Sequence, residues 1–600
     1  MNLSKTRVVF VARIFLSLMI GTLIVTDPCA AFAAVPEYNR ALTADQRISQ
    51  VLLRLSFGVR PGDFDTVKKI GVARYIQQQL DPDSIDDAAL DKRLAKLPTL
   101  GLSNPTIAEL YNPPKPPPTP SPTPAKTIAA ADAPKMDAAS PMMNSATMTV
   151  SASPSPTPAA KPLPTPVPRN QGMVVTELQR AKLLRAVYSE RQLYEVVVDF
   201  WENHFSIFAN KDADRLLLTG FDRDSIRPFA LGRFRDLLGA TAHSPAMLFY
   251  LDNWQSSVLR EYPATKDKPA RKSGGINENY ARELMELHTL GVDGGYTQKD
   301  VQEVARCFTG WTIRKPNDEG IFYYNPAQHD NGEKIVLGTR IAAGGGIGDA
   351  EKVLDILAKH PSTARFIATK LARRFIGDDP PKAVIDRAAQ VFLRTDGSIR
   401  ETIKSIIESP EFTSPAAYQA KVRSPFEFVA AALRVTAAET DANRPILDWI
   451  ARMGQPIYGH LTPDGYPDRS SEWLSNNDLL ARFNFAVAFA TNKINGTKID
   501  TRKLLGDTQN TDARLVVDAM AKLILMNQIS THTRNALDKA AAVGAKPPAM
   551  PSATLIPNTG VVKPNAPNLA AFAAASNKDA DNKVAELLAL TLGAPEFQRK

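Results

Sequence analysis

A long segment of this chain is too polar and too rich in proline to join a hydrophobic core. Residues from about Pro113 to Pro168 are dominated by Pro, Ala, Ser, Thr and Lys, with almost no large apolar side chains. Such a segment cannot bury enough apolar surface to offset the conformational entropy lost on ordering. A second stretch, from about Ala541 to Asn577, has the same bias. The sequence therefore predicts two disordered low-complexity inserts, at 112–170 and 539–580.

The rest of the chain is predicted to form one domain from three pieces, 34–111, 171–538 and 581–600. With 44% hydrophobic residues among 600, these pieces can bury a large core. Ile403 to Phe412 and Leu588 to Phe597 both end an apolar helix with Pro-Glu-Phe. We therefore expect 581–600 to be a helix that packs back on the domain. The first insert has a second interpretation, a cell-wall spacer or glycosylated stalk.

The first residues have the pattern of a secretory signal peptide, predicted to span 1–33. Lys5, Arg7 and Arg13 lie in or beside the opening segment, an apolar run extends from Ile14 to Val25, and small residues follow at Ala31-Phe32-Ala33. The run is shorter than the ~20 residues that cross a bilayer, and no later stretch is long and apolar enough. We expect export to the periplasm or the extracellular space, with no transmembrane helix in the mature chain.

Charge and cysteine content exclude several classes of protein. The formal charge is +9, and loss of 1–33 lowers it to about 9 − 2 = +7, which is mild for this length. Basic residues do not alternate with aromatic ones along the chain, so we expect no nucleic-acid partner. No phosphate loop is present, so no nucleotide is expected. Cys307 alone remains after cleavage, which rules out an intramolecular disulfide.

The dominant period of the apolar residues is helical. Leu193, Val196, Val197, Phe200 and Trp201 have the spacing of one helix face.

Local signals mark helix ends and one possible hairpin. Thr297 with Asp300 predicts a capped helix start. Ile321 to Tyr324 and Lys334 to Leu337 favour strands around a loop that contains Asn331-Gly332. The predicted fold is therefore mainly α, a multi-helical single domain with one small β-hairpin, interrupted by the two inserts.

The densest group of ionisable residues lies between Asn277 and Gly291. On a helical wheel Glu278, Arg282 and Glu283 share one face, while His288 falls among apolar residues on the other. The structural interpretation is a set of ion pairs on a solvated face. The functional one makes Glu278, Arg282, Glu283 and His288, with Asp330, the catalytic candidates.

Four residues are candidate metal ligands. His204 lies in the apolar stripe of its predicted helix, so that it and His288 both face the interior. Each alone is expected to be a core histidine, but together they could form one buried polar site with a carboxylate or a divalent metal. His329 and Asp330 lie in the predicted hairpin loop, and Asp252 follows a predicted helix end. The metal candidates are thus His204, His329, Asp330 and Asp252.

Several catalytic motifs are missing from the sequence. It contains no Gly-x-Ser-x-Gly and no His-Glu-x-x-His. A run of glycines from Gly344 to Gly348 is interpreted as a flexible joint, with Asp349 as the cap of the next helix.

A set of motifs spread over the chain resembles the bacterial domain of unknown function 1800 family. Those motifs are Leu53 to Gly58, Trp201-Glu202-Asn203-His204-Phe205, Met247 to Asn253, Asn277 to Trp311, His329-Asp330, His360 to Phe366, Ser424-Pro425-Phe426-Glu427 and Met453 to Pro467. The resemblance carries no catalytic residue. It implies an exported protein, often encoded beside a family similar to sulfatases, which suggests a secreted sulfatase-like partner.

Two hypotheses about function follow. In the first, the protein is a binding or assembly protein of the cell envelope that docks a secreted partner. In the second, it is a metal-dependent or acid/base hydrolase acting on an extracellular substrate, in which His204 and His329 with Asp330 hold a metal or share a proton.

Overall fold

The computed structural model describes residues 41–112, 170–264, 269–506, 512–542 and 579–600. The predicted signal peptide and most of both predicted inserts lie outside these residues.

The described chain is built mainly from helices, which confirms the predicted fold class. The longer ones carry apolar stripes at helical spacing, as an amphipathic helix on a core requires. In chain order the helices are α1 Ala44–Leu55, α2 Asp63–Ile70, α3 Val72–Leu80, α4 Ala88–Leu94, α5 Asn104–Tyr111, α6 Gln171–Tyr188, α7 Gln192–His204, α8 Asp214–Gly220, α9 Phe234–His243, α10 Pro245–Tyr250, α11 Asn279–Glu286, α12 Gln298–Phe308, α13 Gly348–Ala358, α14 Pro361–Phe375, α15 Lys382–Arg394, α16 Ile399–Ile407, α17 Pro425–Val435, α18 Arg444–Arg452, α19 Asn476–Ala490, α20 Thr501–Leu505, α21 Ala513–Leu525, α22 Thr531–Ala542, α23 Asp579–Gly593 and α24 Pro595–Gln598. Among the described residues no helix combines the length and apolarity needed to cross a membrane.

Short strands form four antiparallel two-stranded sheets within the described ranges. In chain order they are β1 Ser257–Tyr262, β2 Arg271–Gly275, β3 Trp311–Arg314, β4 Ile321–Tyr324, β5 Lys334–Val336, β6 Thr339–Ile341, β7 Glu439–Thr440 and β8 Thr497–Lys498. The pairs are β1 with β2, β3 with β4, β5 with β6, and β7 with β8.

The predicted hairpin is wrong in its pairing, although both of its strands exist. Ile321–Tyr324 pairs with Trp311–Arg314, and Lys334–Val336 pairs with Thr339–Ile341. Each strand joins the β-favouring run nearest to it in sequence, which shortens the loop that has to be closed.

A predicted helix start is confirmed by the structure. The Thr297 side chain accepts from the Asp300 backbone N–H, and the Asp300 carboxylate accepts from the Thr297 backbone N–H, so α12 begins with a capping box. The segment near 581–600 is helical, and α23 packs against α19 and α21. α22 and α23 also extend a few residues into the range predicted as the second insert.

One contiguous core joins the pieces on both sides of the inserts. Its buried apolar side chains include Val51 from the first piece, Leu193 and Trp201 from the second, and Leu588 from the last. The last piece is also held by backbone pairing, because Val422 and Arg599 form an antiparallel bridge. This pairing brings Lys600 next to the start of α17, where the candidate site lies.

Candidate functional site

A cleft of about 80 Å³ lies beside α7, and many of the side chains that line it are charged. We call it the charged cleft. Its central ionisable side chains are Lys182, Asp199, Glu202, Arg374, Glu427 and Lys600.

Helix α7 places two carboxylates at the charged cleft. Asp199 and Glu202 are three residues apart and therefore lie on one face of the helix. The other face is anchored in the core by Val197, Trp201 and His204, all essentially inaccessible to solvent. The apolar stripe thus determines the direction in which the carboxylates point.

Lys182 forms ion pairs with both of these carboxylates. Its Nζ lies 2.8 Å from Asp199 Oδ1 and 2.6 Å from Glu202 Oε2. The Tyr458 hydroxyl donates to Glu202 Oε1 at 2.7 Å. Burial raises the pKa of Glu202 to about 7, even though Lys182 favours the ionised form, and neighbouring Asp222 adds to the rise. Glu202 is therefore an acid that titrates near neutral pH.

Asp222 behaves oppositely. Burial opposes its ionisation, but Arg227 and Arg185 outweigh burial and hold the pKa of Asp222 at about 2. Arg227 Nε lies 2.9 Å from Asp222 Oδ1, and its Nη2 lies 3.0 Å from Glu195 Oε2. Two neighbouring carboxyl groups thus have well separated acidities, because only one of them has arginine partners.

Glu427 forms the opposite wall. It is the third residue of α17, and its Oε2 accepts from the Ser424 backbone N–H at 3.0 Å in a capping box. Its Oε1 contacts both Arg374 and Lys600. Burial opposes ionisation, yet Arg374 and Lys600 hold the pKa of Glu427 well below its usual value. Glu427 is therefore ionised across the physiological range.

The loop from Tyr458 to Tyr466, which contributes to the lining of the charged cleft, is hydrogen-bonded to α7. Asn203 donates from Nδ2 to the Tyr466 carbonyl and accepts from the Tyr466 N–H, both at 2.8 Å. A Cβ on Gly465, whose φ is +75°, would lie 2.2 Å from the Asn203 carbonyl oxygen, so only glycine fits. Tyr458 itself has φ +55°, which is strained for an aromatic residue. Backbone strain of this kind clusters at functional sites.

His204 and His288 lie next to each other in the interior, with ring centroids 6.0 Å apart. His204 Nε2 lies 3.1 Å from the His288 carbonyl oxygen, and Nδ1 lies 3.1 Å from Lys370 Nζ. Burial, with Lys370 adding to it, lowers the pKa of His288 to about 3 and that of His204 well below its usual value. Both rings are neutral, and the polar neighbour is a lysine rather than a carboxylate.

His329 belongs to a different buried group. Its Nε2 lies 3.2 Å from Asp349 Oδ2, and Lys334 Nζ lies 2.6 Å from the same oxygen, with all three side chains inaccessible. Its Nδ1 lies 2.8 Å from the Thr309 carbonyl. The interpretation of Asp349 as a helix cap is wrong, because α13 begins at Gly348 and the carboxylate turns into the core instead.

Asp330 and Asp252 have partners of their own. Arg306 contacts both oxygens of Asp330, at 2.8 Å and 3.1 Å. Burial opposes ionisation, but these hydrogen bonds lower the pKa of Asp330. Asp252 pairs with Lys211 at 2.8 Å near the surface.

The polar face of α11 is solvated. Arg282 lies 3.3 Å from Glu278, with both side chains substantially exposed. Partial burial, with Glu286 adding to it, raises the pKa of Glu283.

The structure does not bring the predicted metal ligands together. Within the described residues, no three His, Cys, Asp or Glu side chains are placed to hold one ion. His204, His329 and Asp252 belong to separate hydrogen-bonded groups.

The residues of the charged cleft were not among the candidates predicted from the sequence. Glu202 and Glu427 lie inside motifs that were noted for their resemblance alone, and a wheel of α7 would have put Asp199 beside Glu202. Lys182, Arg374 and Lys600 carry no local signal, because their partners are distant in sequence.

Fold and site together define a mainly helical protein with a charged cleft sunk into its core. The chain belongs to the family described as Protein of unknown function (DUF1800), whose model matches residues 50–599. Comparison with curated proteins finds no match, and none of the solved structures matches either.

Proposed function

We propose that this is an exported binding protein of the cell envelope that receives a charged group of a ligand or secreted partner in the charged cleft. The observation that carries the proposal is the ion network around Lys182 and Glu427, which is sunk into the core yet lines an open cavity. Burying charges costs several kcal/mol per ion, and apolar packing would stabilise the same space as well. Strongly shifted pKa values in a cleft are typical of functional sites.

Binding accounts for the arrangement better than metal-dependent hydrolysis does. The histidine pair has a lysine as its polar partner, and His329 is enclosed with Lys334 and Asp349. The charged cleft, by contrast, offers several charges at fixed positions without ligands for one metal. Export is proposed from the pattern of residues 1–33, and the sulfatase-like partner from the gene neighbourhoods of the family.

The test measures binding of a purified secreted sulfatase-like protein, of the kind often encoded beside members of the family, to the mature chain. The variant Lys182→Met with Glu202→Gln removes the Lys182 cation and the carboxylate of Glu202, while Asp199 keeps Arg374 at 3.6 Å. The matched control, Lys315→Met with Glu319→Gln, removes an exposed pair 3.1 Å long. We expect at least tenfold weaker binding for the first variant and unchanged binding for the control. Equal affinity for all three proteins would overturn the proposal.

Acid/base hydrolysis at the same cleft is a second candidate. It is favoured by Glu202, whose pKa of about 7 suits proton transfer at neutral pH, and by the Tyr458 hydroxyl bonded to it. A screen of ester and glycoside substrates tests it. Any activity found should show an inflection near pH 7 and be lost in Glu202→Gln.

A further inference from the structure

We propose that one end of the charged cleft, formed by Arg374, Lys421 and Lys600, binds a small oxyanionic group: a carboxylate, phosphate or sulfate. The inference rests on the proposed binding function and names the chemistry of the ligand.

Four cations lie close together at this end. Arg374 and Lys600 share the carboxylate of Glu427, and Lys421 pairs with Asp378 at 2.7 Å. Arg374 Nη2 also lies 3.6 Å from Asp199 Oδ2, an ion pair that Asp199 shares with Lys182. Behind the residues that line the cleft lies Arg54, whose Nη2 donates to the carbonyls of Ile376 at 3.0 Å and Ala417 at 2.7 Å. The four cations thus share three ion-paired carboxylates.

Donors at this end are left without acceptors. Nε of Arg374, and Nε and Nη1 of Arg54, are buried and have no hydrogen-bond partner within the described part of the chain. A buried donor without a partner is destabilising, and more so when it is charged. Of these two residues Arg374 lines the cleft, so an oxyanion there would supply an acceptor to its Nε and negative charge close to the buried cations.

The acidities of these cations also favour an anion site. Burial lowers the pKa of Lys421, and burial together with Arg374 lowers the pKa of Lys600 well below its usual value. Burial also lowers the pKa of Arg54 to about 9. A bound anion would raise these pKa values, so binding should take up protons.

Asp468 and the cavity size restrict the ligand. Asp468 lines the same end, and its negative charge favours the charged forms of Arg374 and Lys421, so it opposes an incoming anion. The cavity of about 80 Å³ holds several waters or one small group. We therefore expect the tip of a ligand to enter, with Asp468 limiting its affinity.

Calorimetric titration of the mature protein with acetate, phosphate and sulfate, at constant ionic strength set with chloride, tests the proposal. We expect saturable binding of at least one oxyanion, weakened at least tenfold in Lys600→Met and in Lys421→Met. Binding should be unchanged in the surface control Lys315→Met and tightened in Asp468→Asn. The preferred ion separates a carboxylate ligand from a phosphate or sulfate one.

Proton uptake gives a second measurement that needs no variant. The apparent binding enthalpy of the unaltered protein should depend on the ionisation enthalpy of the buffer, with a net uptake of protons. No saturable binding of any ion, or equal binding by the cleft variants and the control, would overturn the inference. If the oxyanion inference fails but binding of the secreted partner still requires Lys182 and Glu202, the proposed function stands without an oxyanion site.

Discussion

Lys182 Nζ lies 2.6 Å from Glu202 Oε2 where the two side chains are only 14% and 3% exposed. The pair connects α6 to α7 at the mouth of the charged cleft. Because burial raises the pKa of Glu202 to about 7, this pair changes its charge near neutral pH. The net charge of the charged cleft therefore changes with pH.

Glu202→Gln should flatten the pH dependence of stability. Unfolded glutamate titrates near pH 4.3, so between about pH 4.3 and 7 the folded protein holds a proton that the unfolded chain has lost. The contribution of Glu202 to stability falls as pH rises through this window, by roughly 1–3 kcal/mol. Urea unfolding of both proteins at about pH 5 and pH 7.5 measures the difference. Parallel pH profiles for the two proteins would contradict the assignment.

The buried histidine pair should destabilise the protein in acid. The pKa of His288 in the folded protein is about 3, whereas unfolded histidine titrates near pH 6.5. As pH falls below 6.5 the unfolded chain binds a proton at this histidine and the native state does not, so the free energy of unfolding decreases. His288→Gln should lessen this decline between about pH 6.5 and 5, and NMR of the imidazole resonances should show neutral rings at pH 5. A ring that titrates near 6.5 would sink the prediction.

Lys334→Met should destabilise the fold by roughly 3 kcal/mol, because it leaves buried Asp349 without its cation. Adding Asp349→Asn should recover most of that loss. Lys315→Met, at an exposed ion pair, serves as the control and should stay within about 0.5 kcal/mol. Denaturant midpoints of the four proteins decide the matter; an unaltered midpoint for Lys334→Met would show that the pair contributes nothing.

His204→Ala with His329→Ala should leave the metal content of the purified protein unchanged. Both ring nitrogens of His204 have polar neighbours, the His288 carbonyl and Lys370. Both ring nitrogens of His329 also have polar neighbours, the Thr309 carbonyl and Asp349. Elemental analysis of native and variant protein checks this expectation. A stoichiometric metal present in the native protein and lost in the variant would revive the hydrolase hypothesis.

Sequence alone predicted those features that depend on near neighbours. The helix over Leu193 to Trp201, the capping box at Thr297 and the returning C-terminal helix each follow from spacings of a few residues. The same local logic put His204 and His288 in the interior, where the structure finds them. Local patterns succeed here because apolar periodicity and caps act within one or two turns.

Only the tertiary structure decided which distant residues meet. The local pattern allows strand Ile321–Tyr324 to pair with the run before it or with the run after it. The same pattern allows Asp349 to cap a helix or to enter the core. The charged cleft likewise assembles Lys182, Glu202 and Glu427 from separate helices. Ion pairing depends on distance in space and on burial, which no spacing along the chain encodes.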